Sequence, residues 1–423
     1  MAFAYRDGAL CAEGVPFEEI ARRFGTPCYV YSRAAIERNY GEFERALSAG
    51  HHRRRTLIAY SVKANSSLAV LALMSRLGAG FDIVSGGELD RVLAAGGDPR
   101  KVVFSGVGKS EAEIAQALSA RIFCLNLESE AELERVDSAA ARLGLRAPVA
   151  FRVNPDVDAK THPYISTGLK QSKFGVAYGE AERLYRDAVR RANVEVIGIG
   201  CHIGSMIADP APFAAAAARI VALAARLEQA GIRLSHIDLG GGIGIRYRDE
   251  SPAPIADFVR GALAALGERR EMLIIDPGRA IVGEAGVLLT RVEYVKQGEA
   301  KNFLVVDAAI NDLVRPALYD AWHEVLPVRE AKSGAESEPE AAVYDVVGPI
   351  CESGDFLAKD RRLAARPGDL LAVMCVGAYG MVISSNYNTR PRPAEVIVAG
   401  AEAVLIRERE RIEQLFAGER VLP

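Results

Sequence analysis

Short apolar runs recur along the first two thirds of the chain. Each is bounded by turn residues and is separated from the next by a stretch with apolar positions three and four apart. The runs are TLIAYSV (56–62), GFDIVS (80–85), KVVFSG (101–106), IFCLNL (122–127), PVAFRVN (148–154), VIGIGCH (196–202), SHIDLG (235–240) and MLIIDPG (272–278). Their Val, Ile, Leu and Phe content predicts buried strands. The intervening LAVLALMSRLG and EAELERVDSAAARLG have helical spacing and stop on Gly. Continuous apolar strands alternating with helices predict a parallel sheet covered on both faces. Eight such units in about 230 residues match a closed (β/α)8 TIM-like barrel. The first βα turn has no G-x-G-x-x-G, which weakens the open doubly wound alternative.

After residue 285 the rhythm changes. GVLLTRVEYVKQG, NFLVVDAAI, AVYDVVGP, DLLAVMCVGAYG and AEVIVAG read as strands without regular helices between them. They predict a mainly antiparallel β-sandwich domain following the barrel. The polar, acidic REAKSGAESEPEAA (329–342) reads as a loop within it.

Composition narrows the function classes. The 423 residues suit two domains, and half of them are hydrophobic. A net charge of −3 gives no basic excess for nucleic acid. The N-terminus lacks a basic segment followed by an apolar one, so no signal peptide is expected. The most apolar stretch, FAAAAARIVALAARLEQAG, is interrupted by Arg219 and Arg226 and reads as an amphipathic helix. Six cysteines without a C-x-x-C pair argue for a reducing compartment and no structural zinc.

In a parallel barrel the chemistry lies at the carboxyl ends of the strands. That rule selects Lys63, Asp82 and Ser85, Asn126, Arg152 and Asn154, His202, the run Gly240, Gly241 and Gly242, and the turn Asp276, Pro277, Gly278 and Arg279. The glycine run lets backbone N–H groups approach an anion, or is only a tight turn. The Asp-Pro-Gly-Arg turn at the next strand end adds a charged fork, so the two together match the phosphate site common in barrels. Lys63 is either a surface or phosphate-binding lysine, or a Schiff-base lysine whose amine is activated by a low-dielectric barrel mouth. A phosphate site across the same mouth points to a phosphorylated aldehyde, pyridoxal phosphate. His202 is either a satisfied buried histidine or a ring that stacks on the cofactor. Asp276 is either a turn residue or the carboxylate that keeps a pyridine nitrogen protonated.

The segments YSVKANSSLAVL, GAGFDIVSGGEL, FRVNPDVDAKTHPYISTGLKQSKFGV, CHIGS, IDLGGGIGI, DPGRAIVGEAG, NDLVRPALYDAWH, CESGDFLAKDR and GAYGMVISSNYNTRPRPAEV are long and ordered. Through them the chain resembles the fold-type-III pyridoxal-phosphate decarboxylases with an alanine-racemase-like barrel, most closely the diaminopimelate decarboxylases. The resemblance implies a barrel over 33–285 and a discontinuous β domain from 1–32 plus 286–423. It implies a cytoplasmic homodimer with shared active sites that ends lysine biosynthesis by removing CO2 from the D-centre of meso-2,6-diaminopimelate.

Carried onto this chain, Lys63 would bind pyridoxal phosphate covalently, with Asp82, Asp276 and Pro277 around the cofactor and His202 against its ring. Ser205, Gly240, Gly241, Gly242 and Gly278 would hold the phosphate, helped by the hydroxyl of Tyr379, with Arg279 also at the cofactor. Arg279, Arg315, Tyr319, Glu352 and Tyr379 would bind substrate. Cys351 would protonate Cα, and Cys351 and Glu352 would come from the partner subunit. Arg315 and Tyr319 are four apart in RPALY, on one face if helical, and suit a carboxylate. Glu352 suits an ammonium. A distal amino-acid head group fits this set; the lone distal cation of ornithine, arginine or lysine does not. The same chemistry on another amino acid or a polyamine precursor is the alternative. An amino-acid racemase, a non-catalytic cofactor carrier and a metal or phosphosugar barrel enzyme explain fewer of the segments. Two positions depart from the family pattern: Asp276 stands where Glu is usual, and Met206 where Gln usually follows CHIGS.

Overall fold

The computed structural model describes residues 2–49, 54–158, 173–330 and 340–423. The acidic loop expected at 329–342 lies mostly outside them, as does the middle of the long segment that begins at Phe151. The chain divides into two compact units. One is Tyr40–Arg246 with Glu250–Ala280; the other is Met1–Asn39 with Tyr247–Asp249 and Ile281–Pro423.

The first unit is the closed barrel. All eight apolar runs form strands: Thr56–Ser61, Gly80–Ile83, Val102–Phe104, Cys124–Leu127, Ala147–Asn154, Val194–Gly200, His236–Asp238 and Met272–Ile275. Neighbours pair in parallel around the ring, which closes where Leu273, Ile274 and Ile275 register with Thr56, Leu57 and Ile58. A two-residue strand, Val176–Ala177, adds to the end of the fifth through Val153 and Asn154. The strands stop short of the apolar runs because the chain turns away at the chemically distinctive residues. Lys63 therefore sits in a 3-10 turn, Val62–Ala64, just beyond its strand rather than on it.

Alternation along the strands separates an apolar floor from a polar mouth. Leu57, Ala59, Val103, Phe123, Met272 and Ile274 pack together as the floor. His236 fills the space above Gly198, where an added Cβ would come within 2.0 Å of its ring. Two residues further on the same columns are Ser61, Asp82, Ser105, Asp238 and Asp276. Outside, three successive βα loops end on the same cap. Ser85, Ser110 and Ser129 each accept the N–H of a Glu three residues on, at 3.2 Å. Helix Pro210–Gln229 is long and apolar enough to cross a membrane. It instead buries Phe213, Ala217, Ile220, Leu223 and Leu227 along one face, and Phe213 meets Phe258 of helix Ile255–Leu266 edge-on.

The second unit carries a three-stranded antiparallel sheet, Phe3–Arg6, Ala9–Ala12 and Val15–Pro16. It also carries a nine-stranded sheet around Gly286–Lys296, which pairs antiparallel with Cys28–Ser32, Asn302–Val306 and Leu370–Val373. The large sheet is mixed rather than wholly antiparallel. Cys28–Ser32 runs parallel to Ala394–Ala399, and Asn302–Val306 parallel to Ala342–Val347. Its two apolar clusters centre on Tyr29, Tyr31 and Leu288, and on Val30, Val287 and Leu289, so alternate residues of the same strands feed each.

Candidate active site

The barrel mouth encloses a cavity of about 420 Å³ whose walls include Lys63, Asp82, Asn126, Arg152, His202 and Asp276. The amine of Lys63 lies 3.0 Å from Oδ2 of Asp82, which also accepts from the Ser61 hydroxyl at 3.0 Å. Burial pushes the Asp82 carboxyl up, but the Lys63 charge and the hydrogen bonds outweigh it and hold the group below its ordinary value. The Asp82 side chain beside the Lys63 amine is therefore an ionised carboxylate.

Asp276 is the opposite case. Burial first, then the charge of Asp82, raises it well above the usual carboxylate range, against the pull of Lys63 and Arg152. Its Oδ1 is buried without a hydrogen-bond partner among the described residues and lies 3.6 Å from Nδ1 of His202. His202 is pushed down to about 3, by burial and then by the charges of Arg152 and Lys63, so its ring is neutral. The N–H of Gly241 approaches His202 Nδ1 at 3.4 Å, which makes Nδ1 the acceptor.

The glycine run is built for close approach rather than only for turning. A Cβ on Gly241 would lie 2.3 Å from the Asp276 carbonyl oxygen, and one on Gly242, whose φ is +87°, 2.0 Å from that of Gly204. A Cβ on Gly278 would meet Ala64 at 2.8 Å. Backbone bonds stitch these turns to the strands: Asp276 N–H donates to Gly240 O at 3.0 Å, and Ser61 N–H to Pro277 O at 3.1 Å. Arg279 is nearly buried and donates from Nη2 to Ser205 Oγ at 3.2 Å. The glycine turns thus pack directly against His202, Asp276 and Ser61, and Arg279 reaches Ser205.

Three residues without an assigned role in the sequence reading belong to this mouth or its support. Asp238 is fully buried, accepts the Gly240 N–H at 2.9 Å and faces Nδ2 of Asn126 at 3.4 Å. Burial, then the Asp276 charge, raises it well above the usual range. The signal was present in IDLGGG: an Asp two residues before a glycine turn caps it. Glu128 accepts from Gly106 and Gly175 N–H groups at 2.9 and 2.8 Å and pairs with Arg152 at 3.4 Å. Lys109, also buried, donates to Gly106 O, Asn126 O and Glu132 Oε1 at 2.7, 2.7 and 2.8 Å. No sequence periodicity marks these two, because the Glu128 carboxylate's partners and all but one of the Lys109 amine's lie on other βα units.

The remaining predicted site residues belong to the second unit. Arg315 and Tyr319 begin and end a one-turn helix, and Arg315 is nearly buried. Cys351 is exposed, and its N–H donates to Asn388 at 3.0 Å. Glu352 is exposed in the following turn. Tyr379 holds a left-handed φ of +55° between Ala378 and Gly380. Met206, in the first unit, does the same at +64°.

Comparisons with known proteins agree with this geometry. Residues 33–283 match the family described as pyridoxal-dependent decarboxylase, pyridoxal binding domain. The chain is 56% identical over 421 residues to diaminopimelate decarboxylase of Pseudomonas aeruginosa, covering 100% of this chain and 99% of the relative. It is 53% identical to that of Vibrio cholerae, covering 99% and 98%. Among solved structures, diaminopimelate decarboxylase from M. jannaschii in co-complex with L-lysine superposes with a TM-score of 0.93 at 36% identity, covering 100% of this chain and 98% of the other. The barrel residues fit pyridoxal phosphate: a primary amine, a buried carboxylate oxygen without a partner, and glycine turns that a Cβ would obstruct. The chain belongs to the pyridoxal-dependent decarboxylases and, within them, to the diaminopimelate decarboxylase family.

Proposed function

We propose that the protein removes CO2 from the D-centre of meso-2,6-diaminopimelate, leaving L-lysine, as a cytoplasmic homodimer with shared active sites. The observation that carries the chemistry is the cavity holding the Lys63–Asp82 ion pair together with a buried oxygen of Asp276 that has no hydrogen-bond partner among the described residues. Full-length similarity to diaminopimelate decarboxylases selects the substrate. The pyridoxal-binding barrel takes residues 33–285, and residues 1–32 with 286–423 form the β domain that supplies dimer contacts and substrate residues.

Lys63 holds the cofactor through its amine, and Asp82 keeps that amine in place between turnovers. Asp276 holds the proton on the pyridine nitrogen; a carboxyl whose neutral form is favoured by burial is suited to sharing one. His202 covers the ring face as a neutral imidazole. Ser205, Gly240, Gly241, Gly242, Gly278, Arg279 and Tyr379 hold the phosphate, backed by Pro277. Bound there, pyridoxal phosphate supplies an electron sink for the pair left when the carbon–carbon bond to CO2 breaks. The thiol of Cys351, from the partner subunit, returns a proton to that carbon. Arg279, Arg315, Tyr319 and Tyr379 take the distal carboxylate, and Glu352 of the other subunit the distal ammonium. This positions the D-carboxylate for loss and excludes amines that lack a distal carboxylate.

The test is CO2 release by the purified protein with added pyridoxal phosphate, offered meso-diaminopimelate, L-lysine, L-ornithine and L-arginine separately. Release from meso-diaminopimelate alone, with L-lysine as product, is expected. Release from L-ornithine or L-arginine at a comparable rate overturns the substrate, and no release with cofactor bound overturns the reaction.

A further inference from the structure

Within the second unit a buried histidine contacts the arginine assigned above to the distal carboxylate. His323 is fully buried. Its Nε2 lies 2.9 Å from Nη1 of Arg315, and its Nδ1 lies 2.8 Å from the carbonyl oxygen of Met374. A guanidinium can only donate, so Nε2 must accept and carries no proton. A carbonyl can only accept, so Nδ1 carries the proton. The two partners together specify one neutral tautomer.

The surroundings fix both rings and guanidinium. Tyr247 meets the His323 ring edge-on, with centroids 5.4 Å apart and planes at 89°. The Arg315 guanidinium lies 4.8 Å over the same Tyr247 ring. The backbone carbonyl of His323 accepts from Nη2 of Arg361 at 3.2 Å. Arg361 in turn lies over Trp322, with Cζ 3.1 Å from the ring centroid, while Arg248 lies 4.2 Å from it. Arg315 is therefore gripped on a face by Tyr247 and at one nitrogen by an imidazole that is itself held from both sides.

We propose that His323 is the positioning residue that aims Arg315 at the distal carboxylate of the substrate, acting only in its Nδ1–H form. The inference rests on the assignment of Arg315 to that carboxylate. An arginine left to itself loses rotamer freedom each time it meets an anion. Here His323 and Tyr247 impose that ordering before substrate arrives, and one of the five guanidinium N–H groups is given to the imidazole to do so. The consequence is a contribution to binding of the distal head group and not to the bond-breaking step.

Two substitutions separate positioning from mere packing. His323→Asn keeps a donor near Met374 but is too short to reach Arg315. His323→Gln places an amide oxygen near the Nε2 position. In His323→Asn, KM for meso-diaminopimelate and the inhibition constant of L-lysine, which keeps the distal head group, should both rise about ten-fold. kcat should stay within about two-fold, with bound-cofactor absorbance unchanged, and His323→Gln should recover most of the loss. Equal losses in the two variants, or a fall in kcat at unchanged KM, overturn the inference. Arg315→Lys is measured beside them. If it raises KM and the inhibition constant while His323→Asn does not, the His323 inference alone fails. If Arg315→Lys leaves both unchanged, the assignment of Arg315 fails and takes the inference with it. Should His323→Asn not fold, ring-nitrogen chemical shifts of ¹⁵N-histidine in the wild-type protein decide, with His323→Gln giving the assignment. A protonated Nδ1 and bare Nε2 support the proposal; a protonated Nε2 overturns it.

Discussion

Asp82 and Asp276 are both buried carboxyls at the same barrel mouth, yet their environments push them in opposite directions. Asp82 has Lys63 at 3.0 Å and the Ser61 hydroxyl; Asp276 has burial and the charge of Asp82. The division assigns one group to hold the amine and the other to hold a proton. Lys63→Ala should abolish both the absorbance of lysine-bound cofactor and turnover; retained turnover would refute the role of Lys63. A third carboxyl nearby gives a pH signature. Glu88 is raised from 4.5 to about 7, by burial first, although it accepts the Val84 N–H at 2.7 Å. The fold favours its neutral form, so that contribution to stability is complete below the unfolded value and is lost as pH rises through about 7. Glu88→Gln keeps the acceptor for Val84 and removes the titration. The melting temperature of the apoprotein should therefore exceed wild type by a few degrees near pH 8 and match it near pH 5. A constant offset at both pH values would contradict this account.

At the scale of elements, the apolar runs located all eight barrel strands, because a strand buried on both faces needs continuous hydrophobicity. Their ends were less legible. The chain leaves the sheet at Val62 and at Val84, where local turn chemistry competes with apolar character, so Lys63 lies past its strand. The same rule that put chemistry at strand ends named Lys63, Asp82, His202 and Asp276, and these share one cavity. Asp238 in IDLGGG is legible only as a cap two residues before the glycine run; its contact with Asn126, 112 residues away, leaves no trace in the sequence. The support around Lys109 was illegible for a different reason: its contacts with Asn126 and Glu132 link separate βα units. Lys109→Met should cost about 3–5 kcal/mol, since it strands Glu132 in the interior. The double variant Lys109→Met with Glu132→Leu should recover part of that, measured by denaturant unfolding. Gly241→Ala acts through the same element scale. Its Cβ cannot lie 2.3 Å from the Asp276 carbonyl, so the turn must move and cofactor retention on dialysis should fall. Retention equal to wild type would mean the turn adapts.

At the scale of the whole molecule, the proposed dimer makes a quantitative prediction. Lys63→Ala and Cys351→Ala each disable every site in their own homodimers if a site takes Lys63 from one chain and Cys351 from the other. Mixed in equal amounts and allowed to exchange, half of the dimers are hybrids, each with one intact site. Recovered activity should approach about a quarter of wild type; no recovery after exchange would place both residues in one chain. The barrel's own closure carries a further consequence. Its first and eighth strands meet through three register pairs, and Lys63 follows one strand while Asp276 follows the other. A molecule held by both residues would act as a clasp across that pairing. Cofactor supply would then set the stability of the fold: each ten-fold excess of free cofactor over its dissociation constant adds about 1.4 kcal/mol against unfolding.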